Sequence, residues 1–401
     1  MYFSISKQNF YKPLDYISGP AQGASQDSIN GNVLLNVKKN DENLYPEIDS
    51  QYVLELVCTD NEIEMKSIIG IYSDDVEEGS ITVKVKSLLD IIKSFEDDTY
   101  VTIKYDESDN RVYIKTNSND FNICAIPANG FPRIDTSDMC FDMKIRRKEL
   151  LTIMETTQSA ILQENYRYYL KGMRFSFDKN NPMEVNIFTS DAHRVSIQKG
   201  ILNELCIVPD DYVTGGFIIP KKGVTEIIKL LSIDKNNPDE EIVLSVSDNS
   251  LNAVINGICI VCKLIKADVY PDFFSFIPQA CNKIMVLKRA YLKSCLKRVI
   301  ILSNHHFPAV KFVIKNGLLT IKCKNNHHEE AKELIDLCSY EGDDIELAFN
   351  PHYIIDACDN MTTEKLKISL SDISSCALIE PLPNKDEEVS YARYLVNRVK
   401  M

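Results

Sequence analysis

Two amphipathic helical patterns recur three times along this chain at intervals of roughly 130 to 140 residues, and that period constrains the fold more than composition does. The first pattern spans 6–14, 146–154 and 288–296; the second spans 83–93, 219–229 and 349–357. Between them the spacing changes to strict alternation, as in 101–105, 111–115, 184–188, 241–246 and 318–323. Alternating runs broken by Asn-Gly and Asp-Asn turns predict antiparallel meanders. Each repeat therefore reads helix, strands, helix, strands. The expected fold is α+β: three copies of one domain, each made of two halves in which a helix covers an antiparallel sheet. Boundaries are expected near Pro132–Asp138 and Pro278–Asn282, where proline stops ladder pairing, giving domains 1–137, 138–280 and 281–401. Pro13, inside the first pattern, should kink that helix or define its start.

A chain of 401 residues can bury three separate cores of this size. Its 44% hydrophobic and 26% charged residues are ordinary for a globular protein, and no run approaches the roughly 18 apolar residues of a membrane span. The start, Met1–Ile5, has neither the basic region nor the apolar stretch of a signal peptide, so the expected location is cytoplasmic with no membrane partner. Twelve cysteines without framework spacing suit a reducing compartment. A net charge of −13 argues against nucleic acid, yet its distribution argues the other way. Lys283, Lys288, Arg289, Lys293, Lys297 and Arg298 fall in a stretch with no acid, and four of the five residues 144–148 are basic. The second helices of the first two repeats each set three lysines against one acid, while acid collects at 74–78, 234–241, 341–346 and 386–388. The expectation is a basic helical face on an acidic body. The alternative is that these are simply solvated helix faces.

Candidate catalytic groups fail on spacing. Cys259 and Cys262 have metal-ligand spacing, but on an alternating strand they point to opposite faces. His305–His306 and His327–His328 lack a third ligand at suitable spacing. Tyr72-Ser73-Asp74-Asp75 has the look of a magnesium-binding carboxylate pair, yet it sits in an acidic turn. With no phosphate-binding glycine loop either, the expectation is a chain without catalysis, cofactor or resident metal. Two other classes stay open: a nucleotidyltransferase using Asp74 and Asp75, and a scaffold that binds only proteins.

Beside these patterns stand Lys12-Pro13-Leu14 with Ser18-Gly19-Pro20, 167–173 (Arg-Tyr-Tyr-Leu-Lys-Gly-Met) and Asp191-Ala192-His193-Arg194. Farther on come Ile219-Pro220-Lys221-Lys222-Gly223, Tyr270-Pro271-Asp272, Ile301-Leu302-Ser303-Asn304 and Phe349-Asn350. In their order and spacing the chain resembles, over its whole length, the bacterial sliding clamp, the beta subunit of DNA polymerase III. The resemblance implies a non-catalytic processivity factor: a ring that encircles duplex DNA without sequence preference and tethers the polymerase.

Packing arithmetic agrees with two chains per ring. Six helices side by side at roughly 9 Å line about 54 Å of circumference, a circle about 17 Å across that closes once roughly 10 Å of helix thickness is removed. Twelve leave roughly 24 Å of clearance, enough for B-DNA. A head-to-tail homodimer is therefore expected. The resemblance implies edge-to-edge strand pairing at its closure, with Phe121 and Ile123 on one edge meeting Ile301 and Leu302 on the other. It also implies DNA contacts from Arg167, Tyr168, Tyr169, Lys221 and Lys222, with Lys86 and Lys93 of the basic face alongside. The two tyrosines could also approach single strands at junctions.

A second implied site is a groove that accepts short motifs from the replicative polymerase's catalytic subunit, the clamp loader, other polymerases and repair proteins. Its lining would be Leu170, Ser190, Ala192, His193, Arg194, Val195, Pro271, Phe276, Phe307, Asn350, Tyr353, Ser374, Cys376, Val399 and Met401. The chain departs from the family pattern at Ala24 and Ser275, where arginine is common, and in its last five residues.

Overall fold

The computed structural model describes the chain except residues 23–27, 41–44, 164–166, 179, 207, 210–211, 213–215, 235, 268–269, 305–307, 372–375, 386–390 and 400–401. Six α-helices stand among the described residues: α1 (Lys7–Ile17), α2 (Val85–Ser94), α3 (Arg147–Thr157), α4 (Lys221–Leu231), α5 (Arg289–Val299) and α6 (Pro351–Asp359). They are the six predicted helices, with their starts moved one or two residues toward the C-terminus. The reason is that a strand runs directly into each helix, as Gly79–Lys84 does into α2 and Phe217–Pro220 into α4.

Apolar spacing explains what each helix buries. In α1 it is Phe10, Leu14 and Ile17; in α2 Val85, Leu88 and Ile92; in α5 Leu292, Cys295, Leu296 and Val299. Ser6 caps α1 by accepting from the Asn9 amide, and Asn350 caps α6 by accepting from the His352 amide with Pro351 in the first turn. Pro13 does not define the start of this helix, the second of the two outcomes expected of it. α1 passes through it unbroken, because the carbonyl deprived of its donor belongs to Asn9 on the exposed side, where water can satisfy it.

The chain divides into two compact units, residues 1–147 with 225–264, and residues 148–224 with 265–401. In the first unit the twelve described strands form one antiparallel sheet. Near its middle, Ile63–Ile71 pairs with Ile258–Lys263, so the first repeat and the back half of the second share one ladder. In the second unit the described strands form a nine-stranded and a four-stranded sheet. In the larger one Arg194–Ile201 pairs with Ala392–Asn397, which joins the front half of the second repeat to the third. Alternation sets the layers: along Glu241–Val246 and Arg111–Lys115 every second residue is buried.

One cationic device appears three times. The first residue of each repeat's first helix reaches the C-terminal end of that repeat's second helix, where carbonyls lack intrahelical donors and carry partial negative charge. Lys7 Nζ donates to the Phe95 carbonyl at 2.5 Å and to Asp97 Oδ1 at 2.8 Å. Arg147, 1% exposed, donates to the Leu231 carbonyl at 3.0 Å, to Glu240 at 2.8 Å and to Asn256 Oδ1 at 2.8 Å. Arg289 donates to the Cys358 carbonyl at 2.9 Å and the Thr363 carbonyl at 2.7 Å. In all three the backbone amide of the same residue also donates to the segment just beyond, at Thr99, Glu240 and Glu364.

Candidate functional site

The groove is built on a tight turn. After strand Asn181–Ser190, Ala192 takes φ 74°, a left-handed conformation that local hydrogen bonds hold in place. Asp191 Oδ1 accepts the amides of His193 and Arg194, while Ser190 Oγ accepts the Ala192 amide and donates to the Arg194 carbonyl. The Arg194 side chain is spent on architecture. It donates to Asp191 at 3.0 Å, to Asp356 of α6 and to the Ser159 carbonyl, and its guanidinium lies 4.4 Å from the Tyr353 ring centre. Burial, with Asp191 nearby, raises the Tyr353 phenol's pKa.

Beside this turn lies a cavity of about 340 Å³. Leu170, Ser190, Ala192, Arg194, Val195, Pro271, Phe276 and Cys376 line it, eight of the residues expected there. Phe273, Leu395 and Asn397 join them, as do Arg167 and Tyr169, which the sequence reading set on DNA. Leu395 escaped that reading because it is brought in by strand pairing opposite Val195, a non-local register that no spacing reveals. Its volume and mostly apolar walls are those of a site for a few apolar side chains held by a few polar groups. Asn350 caps α6, Tyr353 supports Arg194, His193 is exposed, and Val399 is tied through its amide to the Ala348 carbonyl; none of these four lines the cavity. Phe307, Ser374 and Met401 lie outside the described residues, as do Ala24 and the pair His305–His306. Ser275 donates to the Asp272 carbonyl within a short turn.

Of the DNA set, Lys86 and Lys93 lie seven residues apart on the exposed side of α2, Lys222 is exposed at the start of α4, and Lys221 is half-buried. Tyr168 is 51% exposed on a single 3₁₀ turn, Tyr168–Leu170, and its ring meets Tyr169 edge to face. The cationic stretch at 283–298 is less available than its composition suggested. Lys283 is buried, Arg289 is committed to helix carbonyls, Lys293 pairs with Asp359, and Arg298 makes a forked bond to Glu333 at 2.7 and 3.0 Å. That bond holds the Glu333 carboxyl below the usual carboxylate range. Lys288, Lys297 and Arg298 are the exposed cations of this stretch, Arg298 with its charge paired to Glu333.

Each unit also presents an incompletely paired sheet margin. Along Asp120–Pro127 one side pairs throughout 120–124 with Arg111–Lys115, whereas the other side pairs only at 125–127. Phe121 is 38% exposed there and Ile123 half-buried. In the second unit the margin of the four-stranded sheet is Glu330–Asp336, with Leu334 52% exposed. Ile301 and Leu302 do not lie on that edge strand, contrary to the expectation. They form a 3₁₀ turn continuing α5, which packs on the same sheet; Ile301 is 71% exposed.

Cys259 is half-buried and Cys262 fully buried on strand Ile258–Lys263, and burial raises both thiol pKa values. Tyr72 and Asp74–Asp75 stand on an exposed segment. Among the described residues no group of three His, Cys, Asp or Glu side chains is placed to hold a metal, and no described helix is long and apolar enough to cross a membrane.

Repeated pairs of helices on antiparallel sheets, with sheets that run on from one repeat into the next, make this a DNA-clamp fold. Three family models match the chain in order: the DNA polymerase III beta subunit N-terminal domain at 1–135, its central domain at 144–272 and its C-terminal domain at 275–393. The Vibrio cholerae beta sliding clamp is 30% identical over 401 residues, covering both chains fully, and the Pseudomonas putida one is 28% identical over 386 residues, covering 96% of this chain and 97% of that one. The crystal structure of the DNA polymerase III subunit beta from Pseudomonas aeruginosa superposes with a TM-score of 0.84 at 27% identity over the whole of both chains. This chain belongs to the bacterial beta sliding clamp family, the non-catalytic beta subunit of DNA polymerase III, a replication processivity factor.

Proposed function

We propose that two copies of this chain, each of three domains at 1–137, 138–280 and 281–401, close head to tail around duplex DNA in the cytoplasm. The cavity beside Ala192 then anchors a short apolar motif of the replicative polymerase and, in turn, of the clamp loader, other polymerases and repair proteins. Lys86, Lys93, Lys221 and Lys222 meet phosphates without reading bases, so no register is preferred and the ring slides. The exposed ring of Tyr168 adds a stacking surface for single strands at a junction. Arg167 and Tyr169 stand where groove and DNA functions meet.

The observation that carries the tethering half of this reading is the cavity of about 340 Å³, apolar, open and backed by a rigid turn. Phe276, 53% exposed at its wall, gives the cleanest test because little of the fold depends on it. Phe276→Asp is expected to weaken binding of a fluorescein-labelled peptide from the cognate polymerase's clamp-binding tail by about thirtyfold, about 2 kcal/mol. Fluorescence anisotropy reads the affinity, and the thermal unfolding temperature should stay within about 2 °C of the parent, as for a surface change. Unchanged affinity would place the tether elsewhere.

A further inference from the structure

The two internal joints of the chain share one register. Where the first repeat meets the second, Ile260 pairs with Met65; where the second meets the third, Tyr394 pairs with Ser196. Ladder rows identify these as the same places. Ile260 ends the row Met143, Leu244, Ala253, Ile260, and Tyr394 ends the row Met285, Ile368, Ile379, Tyr394, each row starting four residues before its repeat's first helix. The first repeat holds the same row, Phe3, Ile103, Ile114, Phe121, and among the described strands none pairs with Phe121 on its other side. The opposite margin is set by three matching hairpins. Asp60 Oδ1 accepts the amides of Glu62 and Ile63, Asp191 Oδ1 those of His193 and Arg194, and Asn325 Oδ1 those of His327 and Glu329. The residues two before these side chains, Cys58, Thr189 and Cys323, pair with Met65, Ser196 and Ala331. Phe121 and Ala331 are thus the two sides of a third joint. The four residues of the internal pairs are each 3% exposed or less, whereas Phe121 is 38% exposed.

A second contact recurs with the first. Gly19, Ser159 and Ile301 each stand twelve residues after the start of their repeat's first helix, in the short turn that follows it. Gly19 lies so close to α4 that a Cβ there would come within 2.3 Å of the Glu226 carboxyl. Ser159 meets α6: its carbonyl accepts Arg194, which also bonds Asp356, and its hydroxyl accepts Asn360 Nδ2 at 3.3 Å. Counted from the helix start, Asn360 corresponds to Ser94 of α2. Ser94, Phe95 and Phe121 line a cavity of about 530 Å³. At the first joint a filled site calls for glycine; a cavity suits isoleucine, and Ile301 is 71% exposed.

We propose that closure between two copies repeats the internal joints residue for residue. Strand Asp120–Pro127 of one copy pairs antiparallel with Glu330–Asp336 of the next, Phe121 opposite Ala331 and Asp120 opposite Lys332, and the next copy's Ile301 enters the cavity at Ser94 and Phe95. The small Ala331 side chain leaves room for the Phe121 ring. Asp120, which meets Lys115 of its own hairpin at 2.8 Å, gains a second cation in Lys332. Other registers are poorer. A slip of one residue turns the faces of the strand over, and a slip of two sets Phe121 against a carboxylate, Glu329 or Glu333.

This pairing rests on the head-to-tail reading, and the test separates the two. In a full chain carrying Cys124→Ser, Cys140→Ser and Cys338→Ser, which removes the exposed thiols, Asp120→Cys is combined in turn with Glu330→Cys, Lys332→Cys or Leu334→Cys and oxidised with copper phenanthroline. Facing Cβ atoms lie about 5 Å apart and diagonal ones about 7 Å, beyond the span of a disulfide. The Lys332→Cys combination should therefore give at least about tenfold more disulfide-linked dimer on non-reducing gels than either neighbour. A maximum at Glu330→Cys or Leu334→Cys, or no cross-link in a chain that light scattering shows to be dimeric, overturns the register and spares the dimer. A parent chain that is monomeric at micromolar concentration overturns the head-to-tail reading and this pairing with it. Ser94→Trp, a change at an exposed residue that fills the cavity and leaves the ladder alone, should raise the Kd of the dimer at least about tenfold. An unchanged Kd overturns the place given to Ile301.

Discussion

Ile301→Asp combined with Leu302→Asp is expected to convert the proposed dimer into monomers at micromolar concentration, and Phe121→Asp alone should weaken it strongly. Ile301 is 71% exposed and Phe121 38% exposed, so neither substitution empties a core. Phe121 lies on the half-open strand 120–127, and Ile301 on the turn that continues α5, the helix packed on the sheet whose margin is Glu330–Asp336. Open edges of this kind are templates for pairing with another chain. The edge of one copy and the margin of the next would complete a ladder, with Phe121, Ile301 and the exposed Leu334 excluding water over it. A carboxylate buried there without a partner costs several kcal/mol. Even about 4 kcal/mol raises Kd roughly a thousandfold. Light scattering reads the mass, and far-ultraviolet circular dichroism should remain that of the parent. A double variant that stays dimeric would move closure away from these residues.

Arg147→Met is expected to cost about 3 kcal/mol of stability, more than the matching changes at Arg289 or Lys7. Arg147 is 1% exposed, and its removal leaves the Leu231 carbonyl and Asn256 Oδ1 without their donor and strips Glu240 of its cation. Arg289→Met forfeits bonds to two carbonyls, about 2 kcal/mol, since hydrogen bonds from a charged donor are worth more than neutral ones. Lys7→Met should cost about 1 kcal/mol, because its partner Asp97 is 80% exposed and water replaces much of that contact. With no tryptophan in the chain, circular dichroism during urea unfolding is the natural probe. The order Arg147, Arg289, Lys7 is the diagnostic result; equal small effects at all three would deny the repeated helix-end device its role.

Local periodicity made much of this fold legible. Every described α-helix follows from its apolar spacing, and strands such as Arg111–Lys115 and Glu241–Val246 follow from alternation. What stayed hidden depends on distant partners. No local rule pairs Ile63–Ile71 with Ile258–Lys263, or sets Leu395 opposite Val195 in the groove wall. Charge misled for the same reason. Lys293 and Arg298 count as free cations in a sequence, yet Asp359 and Glu333 meet them from other elements. Ile301–Leu302 look apolar enough for an edge strand, but continuity with α5 winds them into a turn. The turn at Asp191–Arg194 was visible as a motif, although the spending of Arg194 on Asp356, Ser159 and Tyr353 was not.

The central claim is topological, and retention on DNA tests it most directly. The full chain, loaded by its clamp loader onto a nicked circular plasmid, is passed through gel filtration in high salt, which removes phosphate attraction but not a closed ring. The account predicts that it elutes with the circular plasmid and is lost once a single cut linearises the DNA. Equal retention on circular and linear plasmid, or loss from both in high salt, would contradict it.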